Sequence, residues 1–128
     1  MKLHLNNPPD GAPVINGYGE DYVEIAGERH RQSIVLTPTG LITAELPSDT
    51  ASLTESHLES VVSEVERPEV FLLGAGNHSP QMKTEWFAPI AKVGAPLEVM
   101  SLAAACRTYN IMVGDERQVI AVLLVGSQ

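Results

Sequence analysis

A chain of 128 residues with 44% hydrophobic and 19% charged side chains has the size and balance of one folded domain, which excludes a disordered chain. Its net charge of -8 repels a phosphate backbone and so excludes nucleic acid as an expected partner. The one cysteine, Cys106, excludes an internal disulfide and a cysteine-built zinc site, and favours a reducing compartment.

Residues 1–12 read as an extended or flexible lead into a single domain covering 1–128. MKLHLNNPPDGAP has no apolar core long enough for a signal peptide. No later run is long enough to span a bilayer, so a cytoplasmic protein without direct membrane insertion is expected. VINGYG, residues 14–19, predicts a short strand broken by glycine. Residues 22–37 predict a hairpin, with Tyr22, Val23 and Ile25 before the turn Ala26-Gly27-Glu28 and Ile34, Val35 and Leu36 after it. Thr37-Pro38-Thr39-Gly40 is turn chemistry, and Leu41, Ile42 and Thr43 suggest one more strand.

The second half alternates helix and strand. Leu58, Val61, Val62 and Val65 recur at helical spacing, with Thr54 or Ser52 as N-cap and Pro68 as the stop. VFLLG, 70–74, is a continuous apolar run of the kind found in strands covered on both faces. A helix over roughly 82–93 should turn Trp86, Phe87 and Ile90 inward and stop at Gly94, with Pro89 kinking it or delaying its start. LEVM, 97–100, predicts a third buried strand. Ser101 then caps a helix with Leu102, Ala105, Cys106, Tyr109 and Val113 on one stripe, and VIAVLLV, 119–125, closes the chain as a buried strand. This order implies an α/β fold in three layers, a mixed central β-sheet with helices packed on it, preceded by a β-hairpin-rich half.

Residues 45–69 hold seven acids and one base, Arg67, and so carry six of the eight excess negative charges. Such a run is either a solvated helix face or a surface for a basic partner. The chemical candidate is the loop Gly74, Ala75, Gly76, Asn77, His78 and Ser79. Glycines after a buried strand allow a tight turn and close backbone approach to a ligand, and Asn77, His78 and Ser79 add polar groups. A structural turn, a site for a small anionic ligand and a catalytic loop are all compatible with it. Proline stands where a dinucleotide fingerprint has its third glycine, and no lysine follows in P-loop spacing. His4, His30, His57 and His78 are scattered, so no metal site is expected. No cofactor or catalytic residue is assigned. Cys106 lies on the apolar stripe, where cysteine acts as a small hydrophobe. On the same helix, Tyr109 reads as core with a hydroxyl seeking one partner. Asn110, poor in mid-helix, reads as held by a specific side-chain hydrogen bond that caps a neighbouring segment.

The strand ending Gly74-Ala75-Gly76, the helix SLAAACRTYNIMVG with Ala104, Ala105, Cys106, Tyr109 and Asn110, the final apolar strand and the early SIVLTPTG together resemble one family. It is the family of mitochondrial NADH dehydrogenase (complex I) assembly factor 3 and many small bacterial proteins, and the resemblance runs over roughly residues 13–125. It implies an α/β fold with a mixed sheet and carries over no catalytic residue. It also implies a protein-interaction role, with self-association compatible with the same reading. A binder of a small anionic ligand, or an enzyme, at Gly74–Ser79 is the alternative.

Overall fold

The computed structural model describes residues 12–43, 45–63 and 68–126. Strands β1 (Ile15–Tyr18), β2 (Val23–Ile25) and β3 (Glu28–His30) form a three-stranded antiparallel sheet. Strands β4 (Ile34–Thr37), β5 (Gly40–Ile42), β6 (Val70–Ala75), β7 (Leu97–Met100) and β8 (Val119–Leu124) form a second sheet in the order β5-β4-β8-β6-β7. In this sheet β6 runs parallel to β7 and β8, while β4 runs antiparallel to β5 and β8. The helices are α1 (Glu55–Val62), α2 (Phe87–Ala91) and α3 (Leu102–Gly114), with 3-10 turns at Thr50–Ser52 and Thr84–Trp86.

The apolar runs VFLLG and VIAVLLV lie side by side at the centre of the large sheet, paired from Val70↔Val119 to Ala75↔Leu124. Alternation along each strand sends side chains to two cores. Phe71, Leu73, Ile120, Val122 and Val35 face Leu58 and Val61 of α1, Ile90 of α2 and the buried Trp86. Val70, Leu72, Val119, Ala121, Leu123, Ile34 and Leu36 face the Leu102, Ala105, Cys106, Tyr109 and Val113 stripe of α3, together with Ile15, Val23 and Ile25 of the small sheet. Helices and the small sheet thus cover both faces of a mixed sheet, and every residue of β6 and β8 is buried. Trp86 keeps its indole satisfied by donating to the Leu53 carbonyl at 3.2 Å.

Four sequence expectations are corrected. Residues 22–37 are not one hairpin. The Ala26-Gly27 turn joins β2 to β3, whereas Ile34–Thr37 crosses to the large sheet and pairs with β8. Polar Glu28–His30 suits an exposed edge, while the wholly buried IVLT run needs cover on both faces. β7 is an edge strand, half-exposed rather than buried. The helix expected over 82–93 is a 3-10 turn followed by only five α-helical residues, with Pro89 inside the first turn where its missing N–H costs least. Phe87 points outward at 47% exposure, because Trp86, Pro89 and Ile90 take the buried face of that short element.

Thr54, not Ser52, caps α1, and Ser52 belongs to the preceding turn, where its N–H donates to Asp49 Oδ1. Val65 lies outside the described residues, as do His4, Arg67 and the segment before Ala12. Gly94, at φ +75, follows α2 as expected of a stop.

Candidate functional site

Parallel strands β6, β7 and β8 end at one rim, where ligands commonly sit in open α/β sheets. The glycine loop leaves β6 there, and its two glycines do different work. A Cβ on Gly74 would collide with the Ala105 Cβ and crowd Leu123, so this glycine lets α3 press against β6. Gly74 is paired in the sheet and is not in the lining of either cavity beside the loop. Gly76 has φ +68 with open space around it, so its role is the left-handed turn. Its carbonyl accepts from the Leu102 N–H at 3.0 Å, which ties the loop to the first turn of α3. Asn77, His78 and Ser79 are exposed, and Ser79 Oγ donates to the Val99 carbonyl at 3.4 Å.

Two cavities flank this loop. A cleft of about 780 Å³ is lined by Ala75 to Pro80, by Ser48, Asp49 and Thr50, and by Glu20 and Asp21 from the β1–β2 turn. Its lining contains three carboxylates and no lysine or arginine. A smaller cavity of about 250 Å³ lies on the α3 side, between Tyr18, Gly19 and Glu20, Gly76 and Asn77, and Ser101 to Ala103. Glu20, Gly76 and Asn77 line both, whereas His78 and Ser79 line only the larger. The structure therefore gathers Ala75, Gly76, Asn77, His78 and Ser79 at a cleft and leaves Gly74 out.

The acids of the cleft were not singled out in the sequence as site residues. Glu20 and Asp21 sit in a turn of one sheet and Asp49 before a 3-10 turn above the other, and only the packing of the two sheets joins them. Glu20 and Asp21 signal themselves as a Glu-Asp pair in a glycine-led turn, and Asp49 as a member of the acidic run 45–69. Asp21 also meets Arg31 at 3.2 Å, and Arg31 and Arg29 lie over the Tyr22 ring at 5.7 and 4.2 Å.

Tyr109 and Asn110 act elsewhere. Tyr109 donates its hydroxyl proton to the Pro13 carbonyl at 2.7 Å. Asn110 Oδ1 accepts from the Ile15 N–H at 2.9 Å, and its Nδ2 donates to the Ile15 carbonyl at 2.7 Å. Arg107 reaches the Tyr18 hydroxyl at 3.0 Å. These side chains fasten β1 to α3 and so support the turn that carries Glu20 and Asp21. Cys106 is buried, and loss of solvation pushes its thiol up to about 12 despite the opposing charge of Arg107. It is no nucleophile there. Among the described residues no three His, Cys, Asp or Glu side chains gather in metal-holding geometry, and no helix is long and apolar enough to cross a membrane.

The chain is similar to the 13 kDa major membrane protein of Francisella tularensis, at 32% identity over 76 residues. That match spans 59% of this chain and 60% of the relative's length. It also resembles the crystal structure of a Bordetella parapertussis protein, with a TM-score of 0.82 and 29% identity over 92% of this chain and 99% of the other. A solution structure from Bordetella pertussis, described as a Mth938-like domain, matches with a TM-score of 0.77 and 28% identity, over all of this chain and 95% of the other. The model of a family described as protein of unknown function (DUF498/DUF598) matches residues 15–124, a span that takes in both sheets, helices α1 to α3 and the cleft lining except Gly126, and the chain belongs to that family.

Proposed function

We propose that this chain is a non-enzymatic protein-binding module that holds a basic segment of a partner protein in the cleft above β6 and β8. The observation that carries this reading is the lining itself: Glu20, Asp21 and Asp49 converge on one concavity whose lining holds no lysine or arginine, with the His78 imidazole as its basic group and Arg31 pairing Asp21 from the neighbouring groove. Complementary charge steers encounter and fixes register more than it adds affinity, which suits an assembly role. The resemblance to the complex I assembly factor 3 family points to the same class of function. The name of the Francisella relative adds a membrane setting. A chain of net charge -8 is repelled by anionic lipid, so contact with a membrane runs through a protein. Cytoplasmic loops of membrane proteins are rich in lysine and arginine, and are the segments this cleft would fit.

A second reading is supported by the 250 Å³ cavity. It lies against the first turn of α3, where the helix dipole favours a small anion; the Leu102 and Ala104 amides are taken by the Gly76 carbonyl and Ser101 Oγ, and the Glu20 carboxylate shares the lining and opposes it. One set of measurements separates the two. Lysine- and arginine-rich peptides should bind in a salt-dependent manner, and Glu20→Gln/Asp21→Asn/Asp49→Asn should weaken them about tenfold, for three pairs worth roughly 0.5 kcal/mol each. Unchanged affinity in the triple variant removes the first reading. Phosphate, nucleotides and small carboxylates at 100 times their dissociation constant should add about 2.7 kcal/mol to stability if the second holds. That gain should be lost in Asn77→Ala and kept in His78→Ala, since Asn77 lines the smaller cavity and His78 does not. No gain across the panel removes the second reading.

A further inference from the structure

Helix α1 starts with a capping box whose second member is an imidazole. The His57 N–H donates to Thr54 Oγ1 at 3.4 Å, and the Thr54 N–H donates back to His57 Nδ1 at 2.9 Å. The Thr54 hydroxyl lies 3.0 Å from the same nitrogen. Glutamate or glutamine ordinarily fills this third helical position, and their oxygens accept at any pH near neutrality. An imidazole nitrogen accepts only while it carries no proton. The observed bond therefore requires a neutral ring with its proton on Nε2. Protonation at Nδ1 would turn that nitrogen into a donor to Thr54 Oγ1, leave the Thr54 N–H without its acceptor and place a positive charge at the positive end of the helix.

We propose that His57 makes the first turn of α1 a proton-sensitive element, closed by the neutral ring and loosened when the ring is protonated. The turn sits where loosening would be felt. His57 lines a groove of about 840 Å³ with Arg31, Glu45, Ser48, Ser52 and Gly126. Ser48 and Gly126 also line the acidic cleft beside it. The charged groups around the cap are mixed. Arg31 and Glu45 lie across the groove, Asp49 caps the preceding turn, and Glu55 opens α1. Lys83 donates to the Ala51 carbonyl, Glu85 lies in the 84–86 turn, and Lys92 beyond α2 meets Glu59 at 3.7 Å. These five carboxylates outnumber the three cations and favour the imidazolium, whereas the lost Thr54 bond and the positive end of the helix oppose it, and in the proposed response the latter prevail.

Since the folded chain uses the neutral ring, the stabilisation belongs to the unprotonated imidazole and is withdrawn when the ring takes up a proton. His57→Gln keeps an acceptor that does not titrate. Urea unfolding of the full chain at pH 8 and pH 5 should show the wild-type folding equilibrium constant falling about fivefold more than that of His57→Gln, the loss of one cap. Equal falls, or a smaller fall in the wild type, overturn the proposal. Nitrogen-15 shifts of the His57 ring in the wild type at pH 8 should show the Nε2–H tautomer. A majority of the Nδ1–H form overturns it independently of any variant.

Discussion

At Gly74 the absence of one methyl group decides how closely a helix and a strand can approach. Gly74→Ala would force its Cβ into Ala105, and overpacking of this kind costs about 1–3 kcal/mol. Denaturant unfolding of Gly74→Ala, Ala105→Gly and the double variant should show coupling, with the double variant more stable than the sum of its parts predicts. Strict additivity would mean that the two residues do not meet. The same residue shows what could be read of the site in advance. A glycine pair after an apolar strand announces a turn at a rim, and Asn77, His78 and Ser79 do lie exposed there. Sequence cannot distinguish a glycine needed for packing from one needed for positive φ, because that depends on what the other elements press against the backbone. The carboxylates of Glu20, Asp21 and Asp49 were hidden for the same reason: their meeting point exists only after the two sheets pack.

At the scale of elements, α3 does two jobs at once. One stripe fills the core, as its spacing announces, while Arg107 and Asn110 beside it bind β1 and Tyr109 of the stripe holds the Pro13 carbonyl just before β1. Asn110→Ala would strand the N–H and carbonyl of Ile15 together, at about 1–3 kcal/mol for the pair. Amide exchange should accelerate at Ile15 and through β1 while α3 keeps its protection. Equal acceleration in both would show that the clamp is not local. The large elements were legible because their apolar periods were unambiguous, as in VFLLG, VIAVLLV and the α3 stripe. The short ones were not. Ile34, Val35 and Leu36 read as the second arm of the hairpin that turns at Ala26-Gly27-Glu28, since a change of sheet at Arg31 to Ser33 leaves no turn residue of its own except a serine. Phe87 misled because a five-residue helix entered from a 3-10 turn has too few positions to define an apolar face.

Across the whole molecule, burial controls reactivity and the response to alkali. The Cys106 thiol is pushed up to about 12 by burial, above its ordinary value of 9.0, so the folded chain keeps a proton that the unfolded chain releases. Its contribution to stability is fully present below about pH 9 and is lost as pH rises towards about 12. Thiol reagents at pH 8 should modify the native protein only at the rate of unfolding, and Cys106→Ala should lose less stability than the wild type between pH 9 and pH 11. Rapid native labelling would place the sulfur at the surface instead. The Asn110 clamp has one more consequence, for self-assembly. By occupying the backbone groups of Ile15 it presents β1 with a mimic of a neighbouring peptide, so no foreign strand can add there. The sheet edges that remain among the described residues are short: three residues each in β3 and β5, four in β7, with Glu28, Arg29 and Glu98 exposed along them and the Val99 carbonyl already taken by Ser79. Edges so brief and charged resist fibrillar stacking, which leaves side-chain surfaces as the means by which this acidic molecule can join a larger assembly.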